Sequence, residues 1–458
     1  MPGSTKTRKG KAAKKSAGPA RSHSNARRSK AALETAVKTE PNPFIRFFKI
    51  LGPGLITGAS DDDPSGIGTY AVAGASLGFA TLWTALFTFP LMAAVQFICA
   101  KIGMVCGMGL AGVLRRHYSR PLLYIAVTGL VIANTINAGA DMGAIAAAIN
   151  LLIPVPVALM IVPVALSMLA LQVWGSYRLI ANIFKWLTLA LFAYIGAAFF
   201  AKPNLTEVLR ATLIPTFHFD AQFLATIVAI LGTTISPYLF FWQANQEVEE
   251  EISMGRRTLQ QREGATKDEL KYAAWDVNTG MLFSNVVMYF IILATAATLF
   301  KTGKTNIQSA TDAAQALRPL AGNGAYFLLA IGLIGAGFLA VPILTGSSAY
   351  AVAESFGGKH GFGKKPHRAK LFYGVIAAST LVGMLINFLG INPIRALFWT
   401  AVINGFLAPP LLIVIMLIAN NKQVMGEQIN GRWMNILGWT TTLLMFAAAV
   451  GLVLTWRQ

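Results

Sequence analysis

Cysteine and histidine are both scarce in this chain, and their scarcity removes whole classes of chemistry. Of 458 residues, two are cysteine and five are histidine. Cys99 and Cys106 lie near the end of one apolar run. No disulfide framework or thiolate metal site follows from them, and they read as small packing residues. His23 sits in a basic tail, His360 and His367 in a basic loop, and His117 and His218 near the ends of apolar runs. None has the spacing of a zinc site, so zinc hydrolysis is excluded. Charge is thin as well. Only 12% of residues are charged, where soluble domains carry about 25%. Acidic residues are the rarer sign, 19 against 38 Lys and Arg, for a net charge of +19. That excess is gathered in the first 40 residues and in alternate loops. It therefore speaks for membrane orientation and against a nucleic-acid partner.

What remains is apolar, 55% of the chain, and it falls in long blocks instead of at amphipathic spacing. An all-α polytopic membrane protein follows, with the lipid bilayer as its partner. Spans are expected at 50–74, 79–101, 121–148, 153–173, 180–201, 221–249, 272–300, 324–352, 370–389, 392–419 and 433–455, about eleven in all at ~20 residues each. Basic residues mark every second connection: Arg115, Arg116 and Arg120; Arg178 and Lys185; Arg256 to Lys271; Lys359 to Lys370; Lys422 and Arg432. All fall on the side of the N-terminus. The positive-inside rule places that side in the cytoplasm and, with an odd number of spans, the C-terminus outside the plasma (cell inner) membrane. Residues 1–42 are rich in Lys, Arg, Ser, Ala and Gly and read as a disordered basic tail, not a secretory signal peptide. Residues 43–458 form the membrane domain. No cofactor is expected, and the oligomeric state is left open, with a monomer compatible with the sequence.

The membrane domain is organised around Gly58-Ala-Ser-Asp-Asp-Asp-Pro-Ser-Gly-Ile-Gly68. One Asp at the centre of a spanning helix costs about 2.5–3.5 kcal/mol on insertion scales. Three in a row must face water, a cation or one another. Pro64 removes a backbone donor, and Ser65-Gly66 is expected to let the chain leave helical geometry. The sixth span carries a second interruption, Gly232-Thr-Thr-Ile-Ser-Pro-Tyr238. Five spans separate the two breaks, so they open two five-helix halves, about 50–201 and 221–419, with an extra helix at 433–455. Interrupted helices in corresponding positions of two halves point to an inverted-repeat transporter with its site between them.

Asp63 is the expected principal ligand. A hard divalent cation takes carboxylate and carbonyl oxygens, and carbonyls freed near Ala59, Ser60 and Gly66 supply the dipoles. Asp63 is equally placed to cap the second half-helix, and the two roles are compatible. The hydroxyl region of Thr233 and Ser236 completes the site. Asp61 and Asp62 point elsewhere, so at most one shares the ion and Asp62 is a vestibule candidate. Asp141 in the third span is either a proton carrier or a packing residue bonded to a neighbouring Ser or Asn. Asn278, Asn285 and Asn404 are polar groups inside apolar runs; Asn278 and Asn404 are candidates to hold the ion's water. The run Gln243 to Glu251 reads as a solvated helix end or, alternatively, as an exit funnel for cations.

Gly52-Pro53-Gly54 followed by Asp63-Pro64-Ser65-Gly66 resembles the first span of NRAMP divalent-metal transporters, whose motif reads GPG…DPGN. The likeness continues through Ala71 to Phe79 and Leu82-Trp83, and into span three at Asp141-Met-Gly-Ala and Asn150-Leu-Leu. It extends to span eight at Leu344-Thr-Gly-Ser-Ser-Ala-Tyr-Ala and covers about residues 44–455. It implies a LeuT-like fold with eleven or twelve helices, and inward divalent-metal transport coupled to protons. The departures are informative. The family's DPGN Asn is Gly66 here, its MPH Met and His are Ser236 and Tyr238, and its tenth-span Gln falls at Ala401. Thioether sulfur suits softer transition metals, whereas oxygen-only sites suit Mg²⁺, Ca²⁺ or Mn²⁺. Without that sulfur, a roomier site suits a partly hydrated Mg²⁺. The chain thus resembles the NRAMP-related magnesium transporter branch, with Mn²⁺ also accepted. Tyr238 lacks histidine's titration near neutrality, so proton coupling is expected to be weak or absent.

The alternatives are a proton-coupled Mn²⁺/Fe²⁺ importer, an amino-acid transporter of the same fold, and a cation channel. An amino-acid carrier holds a substrate carboxylate at its half-helix ends, which the Asp cluster disfavours. An intramembrane aspartyl hydrolase would need two juxtaposed Asp, with Asp63 and Asp141 as its only pair. The chain is not expected to be an enzyme.

Overall fold

The first span is cut in two by its own sequence, and the rest of the architecture is arranged around that cut. The protein is described by a computed structural model over residues 52–175, 189–307 and 309–455. The regular structure of these residues is all helical, with no strand. Nine helices among them are long and apolar enough to cross a membrane. The first span is not among them. The fifth is represented by a shorter apolar helix, Ala190–Phe200, and its expected start near residue 180 lies outside the described residues. So do the basic tail 1–42, Arg178 and Lys185.

The two halves of the first span are α1 (Pro53–Asp61) and α2 (Pro64–Leu77). There follow α3 (Trp83–Cys106), α4 (Leu110–His117), α5 (Arg120–Leu152), α6 (Val157–Trp174), α7 (Ala193–Phe200) and α8 (Leu205–Leu213). The sixth span is again two helices, α9 (Ala221–Thr234) and α10 (Pro237–Ser253). The remaining spans are α11 (Lys267–Thr295), α12 (Ala325–Phe356), α13 (Lys370–Ile386), α14 (Pro393–Asn420) and α15 (Arg432–Thr455). Several helices outrun the expected spans by about a turn: α3 continues to Cys106, α10 to Ser253 and α12 to Phe356. Apolar windows end at the first polar residues, whereas helical hydrogen bonding continues through the interface.

Both breaks follow one backbone recipe. Proline excludes the helical region for the residue before it. Asp63 accordingly has φ −67°, ψ 167°, and Ser236 has φ −79°, ψ 132°. The residues before them, Asp62 (ψ 52°) and Ile235 (ψ 57°), have already left the helix. Pro64 and Pro237 then start the second halves, where a missing N–H costs nothing. This corrects one expectation: Ser65 and Gly66 do not unwind the chain but belong to the first turn of α2, and the break lies at Asp62-Asp63.

Helix α1 is fixed against α11 by its Gly-Pro-Gly start. The Gly52 amide donates to Asp276 Oδ1 at 2.8 Å and the Gly54 amide to Oδ2 at 2.6 Å. A carboxylate thus sits on the positive end of α1. Glycines let the backbones meet: a methyl group on Gly54 would lie 2.6 Å from the Val277 nitrogen, and Gly58 faces Gly280 with no room for a side chain on either. Asp276→Ala leaves both amides without their acceptor. It is expected to destabilise the purified protein by about 2 kcal/mol, with Asp276→Asn losing less. Thermal unfolding in detergent checks this, and an unchanged midpoint would contradict it.

Polarity runs opposite to that of a soluble domain. Leu159, Leu166, Trp174, Leu443 and Leu454 are exposed, while Thr57, Asp61, Asp63, Asp141 and Gln243 are buried. The exposed leucines suit lipid, and the buried polar groups line the junction of the halves. Cys99 and Cys106 are free and buried, as packing residues should be.

Candidate cation site

Asp63 is the meeting point of three helices. As N-cap of α2 its Oδ1 accepts from the Gly66 amide at 2.7 Å and from Ser65 Oγ at 2.8 Å. Its Oδ2 accepts from Asn137 Nδ2 of α5 at 3.1 Å. The expected capping role of Asp63 is thus met. Three donors fix its rotamer, and lone pairs remain for an ion.

Gly66 brings the two breaks together. A methyl group built on it would lie 3.1 Å from Thr233 Oγ1, 3.2 Å from the Asp61 carbonyl oxygen and 3.4 Å from Asp63 Oδ1. One small volume is thus faced by a carboxylate, a carbonyl and a hydroxyl drawn from α1, the first break and α9. Ser236 stands at the second break, where its hydroxyl donates to the carbonyls of Gly232 at 2.8 Å and Thr233 at 2.6 Å. Its oxygen keeps lone pairs for other partners. Ala59 is half-buried in the last turn of α1, and the carbonyl that is visibly engaged there is the next one. Tyr238 Oη donates to the Ser60 carbonyl at 2.9 Å. The tyrosine that stands in place of histidine is thus a brace between α10 and α1, and it also faces Asp63.

Asp61 and Asp62 share a partner. Ser284 Oγ of α11 contacts Asp61 Oδ2 at 2.5 Å and Asp62 Oδ1 at 3.2 Å. Asp62 is 4% exposed and leans to the α11 side, away from the donors that hold Asp63. Asp141 is buried, and neither of its oxygens is hydrogen-bonded among the described residues. The Ser65 amide at the start of α2 faces it without closing a bond.

The two asparagines expected to hold the ion's water separate sharply once placed. Asn404 is 1% exposed, and its amide finds no partner among the described residues. Asn278 is exposed and bonds back to the Ala274 carbonyl at 2.6 Å. It is not near the site, because α11 turns that face outward while its neighbour Asp276 faces α1. Asn285 is buried and contacts Thr88 and Met92. The acidic run of α10 is not a solvated end throughout, since Glu247 and Glu251 are buried. Gln243 links Glu247 to Thr57 of α1, at 2.8 Å and 2.5 Å.

Two residues were not singled out from the sequence. Asn137 holds Asp63. Tyr70 of α2 is fully buried, faces Asp61, Asp62 and Asp63, and has its hydroxyl turned toward Thr233 without closing a bond. Asn137 sits one helical turn before Asp141, which is the signal that could have found it. Tyr70 gave no signal. Among the described residues no three His, Cys, Asp or Glu side chains gather as a ready-made metal cage. An ion here would depend on one carboxylate with carbonyls, hydroxyls and water.

Two spans each broken before a proline, with polar atoms converging at the breaks, define a membrane transporter of the LeuT-like class. Residues 54–455 match the family described as natural resistance-associated macrophage protein-like, Nramp, and the chain belongs to that family. It is 26% identical to the divalent metal cation transporter MntH of Bacillus subtilis, over 92% of this chain and 96% of that one. It is also 26% identical to MntH of Klebsiella pneumoniae strain 342, over 86% and 91%. The fold is similar to the manganese transporter of Eremococcus coleocola, with TM-score 0.72, 20% identity and coverage of 90% and 87%. It is more distantly similar to Mhp1, a nucleobase-cation-symport-1 family transporter, with TM-score 0.57, 15% identity and coverage of 88% and 93%. The chain is a multi-pass transporter and not an enzyme.

Proposed function

We propose that this Nramp-family transporter of divalent metal cations carries Mg²⁺ inward by alternating access, accepts Mn²⁺ as well, and couples weakly or not at all to protons. The observation that carries the reading is the convergence of oxygens at Gly66, where Thr233, the Asp61 carbonyl and Asp63 come together. Neither break holds a thioether or an imidazole. Asp63 supplies the charge, carbonyls of the α1 terminus near Ala59 supply dipoles, and Thr233 and Ser236 supply hydroxyls. Mg²⁺ dehydrates reluctantly and keeps several waters, and glycine here puts no side chain between Thr233, the Asp61 carbonyl and Asp63. Import is the direction that the family resemblance implies. The likeness to MntH transporters supports a divalent cargo, and the buried Asp141 is the one feature that favours a proton-coupled Mn²⁺/Fe²⁺ importer instead.

Purified protein in sealed proteoliposomes tests both parts. Mg²⁺ uptake is expected, with Mn²⁺ uptake beside it. Uptake of Mn²⁺ alone would overturn the choice of ion. A lumenal pH dye is expected to stay flat during Mg²⁺ entry, because Tyr238 has its hydroxyl committed to Ser60. Strong acidification driven by the metal gradient would show that Asp141 or Asp63 carries protons.

A further inference from the structure

On the side of the basic loops, the ends of α4, α5, α12 and α13 come together with positive charge that the protein does not use itself. Helix α12 packs along α5 and α13, and α4 packs against it. Near α10 and α11, by contrast, cations are engaged within the chain. Arg116 pairs with Glu263 at 2.8 Å, Arg256 with Glu251 at 2.8 Å and with Glu269, and Arg262 donates to the Gly107 carbonyl at 3.0 Å. Arg115, Arg120, Lys359 and Lys370 are exposed, and none pairs with a carboxylate among the described residues. Glu354 stands in the last turns of α12, but its carboxylate is buried and accepts from the amides of Gly109 at 2.8 Å and Gly112 at 3.1 Å. Those bonds fix α4 on α12. Arg115 reaches only the Glu354 carbonyl, at 3.4 Å, and its guanidinium lies over Gly357, where a methyl group would collide with it.

Beside these cations the surface is apolar and uncovered. Tyr124 and Phe356 stack with ring centroids 6.0 Å apart, and they are 41% and 62% exposed. Arg120 and Tyr124 lie at i and i+4 on α5, so the guanidinium stands on the same face one turn nearer the loops. A methyl group on Gly358 would lie 3.5 Å from Leu371 Cδ2, which brings the start of α13, and with it Lys370, to the same edge. A soluble anion would use the cations and leave the rings bare. A lipid with an anionic headgroup uses both. Its phosphate takes Arg and Lys at the membrane surface, and its chains cover aromatic rings at the depth such rings favour. We propose that this edge holds an anionic phospholipid of the adjoining leaflet, with the phosphate among Arg115, Arg120 and Lys370 and an acyl chain along Tyr124 and Phe356. The inference does not depend on which ion is carried.

Native mass spectrometry of the full chain tests it. The protein is released from detergent micelles that hold phosphatidylglycerol and phosphatidylcholine in equal amounts, and the first bound lipid is read. The phosphatidylglycerol adduct is expected to exceed the other by roughly tenfold or more, as three cations at a membrane surface allow. Combining Arg115→Gln, Arg120→Gln and Lys370→Gln should bring the two adducts within roughly twofold of each other. Combining Lys267→Gln, Lys271→Gln and Lys422→Gln removes the same charge elsewhere on that side and should leave the preference intact. Equal retention of both lipids by the unmodified protein would overturn the inference. Equal losses in the two triple variants would show diffuse attraction to the basic side and would overturn it as well. Glycerol phosphate, which has the phosphate and no chains, should not displace the lipid at the same concentration; displacement would make this a soluble-anion site. If the first triple variant does not fold, Arg120→Gln alone, exposed in the first turn of α5, should lower the preference by at least roughly threefold, and an unchanged preference there would be equally decisive against the proposal.

Discussion

Asp63→Ala is expected to abolish divalent uptake while the protein stays folded. Among the described residues Asp63 is the only carboxylate held at the junction of α1, α2 and α5, and it faces the space shared with Thr233 and the Asp61 carbonyl. Two unit charges 4 Å apart interact by about 4 kcal/mol at an effective dielectric constant of about 20, so removing the carboxylate should weaken divalent binding by at least roughly a thousandfold. The structural loss is smaller. An N-cap is worth about 1 kcal/mol, and deletion also removes a carboxylate from a buried position. Asp63→Asn separates the effects, because an amide oxygen still accepts from Gly66 and Ser65 but carries no charge. Both variants should elute as monodisperse protein, and both should be inactive in the dye-loaded vesicle assay. Uptake by Asp63→Asn within a few-fold of the unmodified rate would remove Asp63 from the role of principal ligand.

Gly66→Asn should change which ion is carried. The new Cβ would lie 3.1 Å from Thr233 Oγ1 and 3.4 Å from Asp63 Oδ1, close enough that both must shift slightly. The amide beyond it would occupy the space assigned to water on the ion. An ion that keeps its waters loses room, while one that exchanges water for an amide oxygen gains a ligand. Mg²⁺ uptake is therefore expected to fall at least tenfold, which corresponds to about 1.4 kcal/mol. Mn²⁺ uptake should hold within a few-fold. Adding Ser236→Met supplies a soft ligand and should widen the gap. Parallel rate measurements with Mg²⁺- and Mn²⁺-sensitive dyes decide the matter. An unchanged Mg²⁺ rate would show that Gly66 does not set the volume of the site.

How much of this could be read from the chain depends on which physics was local. The two breaks were legible because proline acts on its immediate neighbour, whatever surrounds it. Even there the offset was misjudged: Ser65-Gly66 looks like a hinge by composition, but Gly66 is helical and is small because Thr233 and Asp63 crowd it. Asp63 was legible because a charge in an apolar run needs a reason. Asn137 was not, since an asparagine in a membrane helix ordinarily serves packing, and only the arrival of Asp63 from α2 gives it another use. Asn278 failed for the opposite reason. Its span was correct, but whether a residue faces the junction or the outside depends on helix rotation, and α11 is rotated to offer Asp276 to α1. Tyr238 was read by what it lacks, the titration of histidine, whereas its hydroxyl turned out to bridge the two broken helices.

The glycine seam between α1 and α11 has a consequence for heredity. At Gly54, Gly58 and Gly280 the backbones approach so closely that even alanine has no place, and every single-nucleotide change in a glycine codon's first two positions introduces a larger side chain or a stop. A library of random variants selected for transport should therefore show its emptiest columns at these three positions. They touch no ion, and a map of tolerated change would mark them more strongly than Thr233 or Ser236. Read without the structure, such a map would place the working centre of the protein about two helical turns away from where its carboxylate stands.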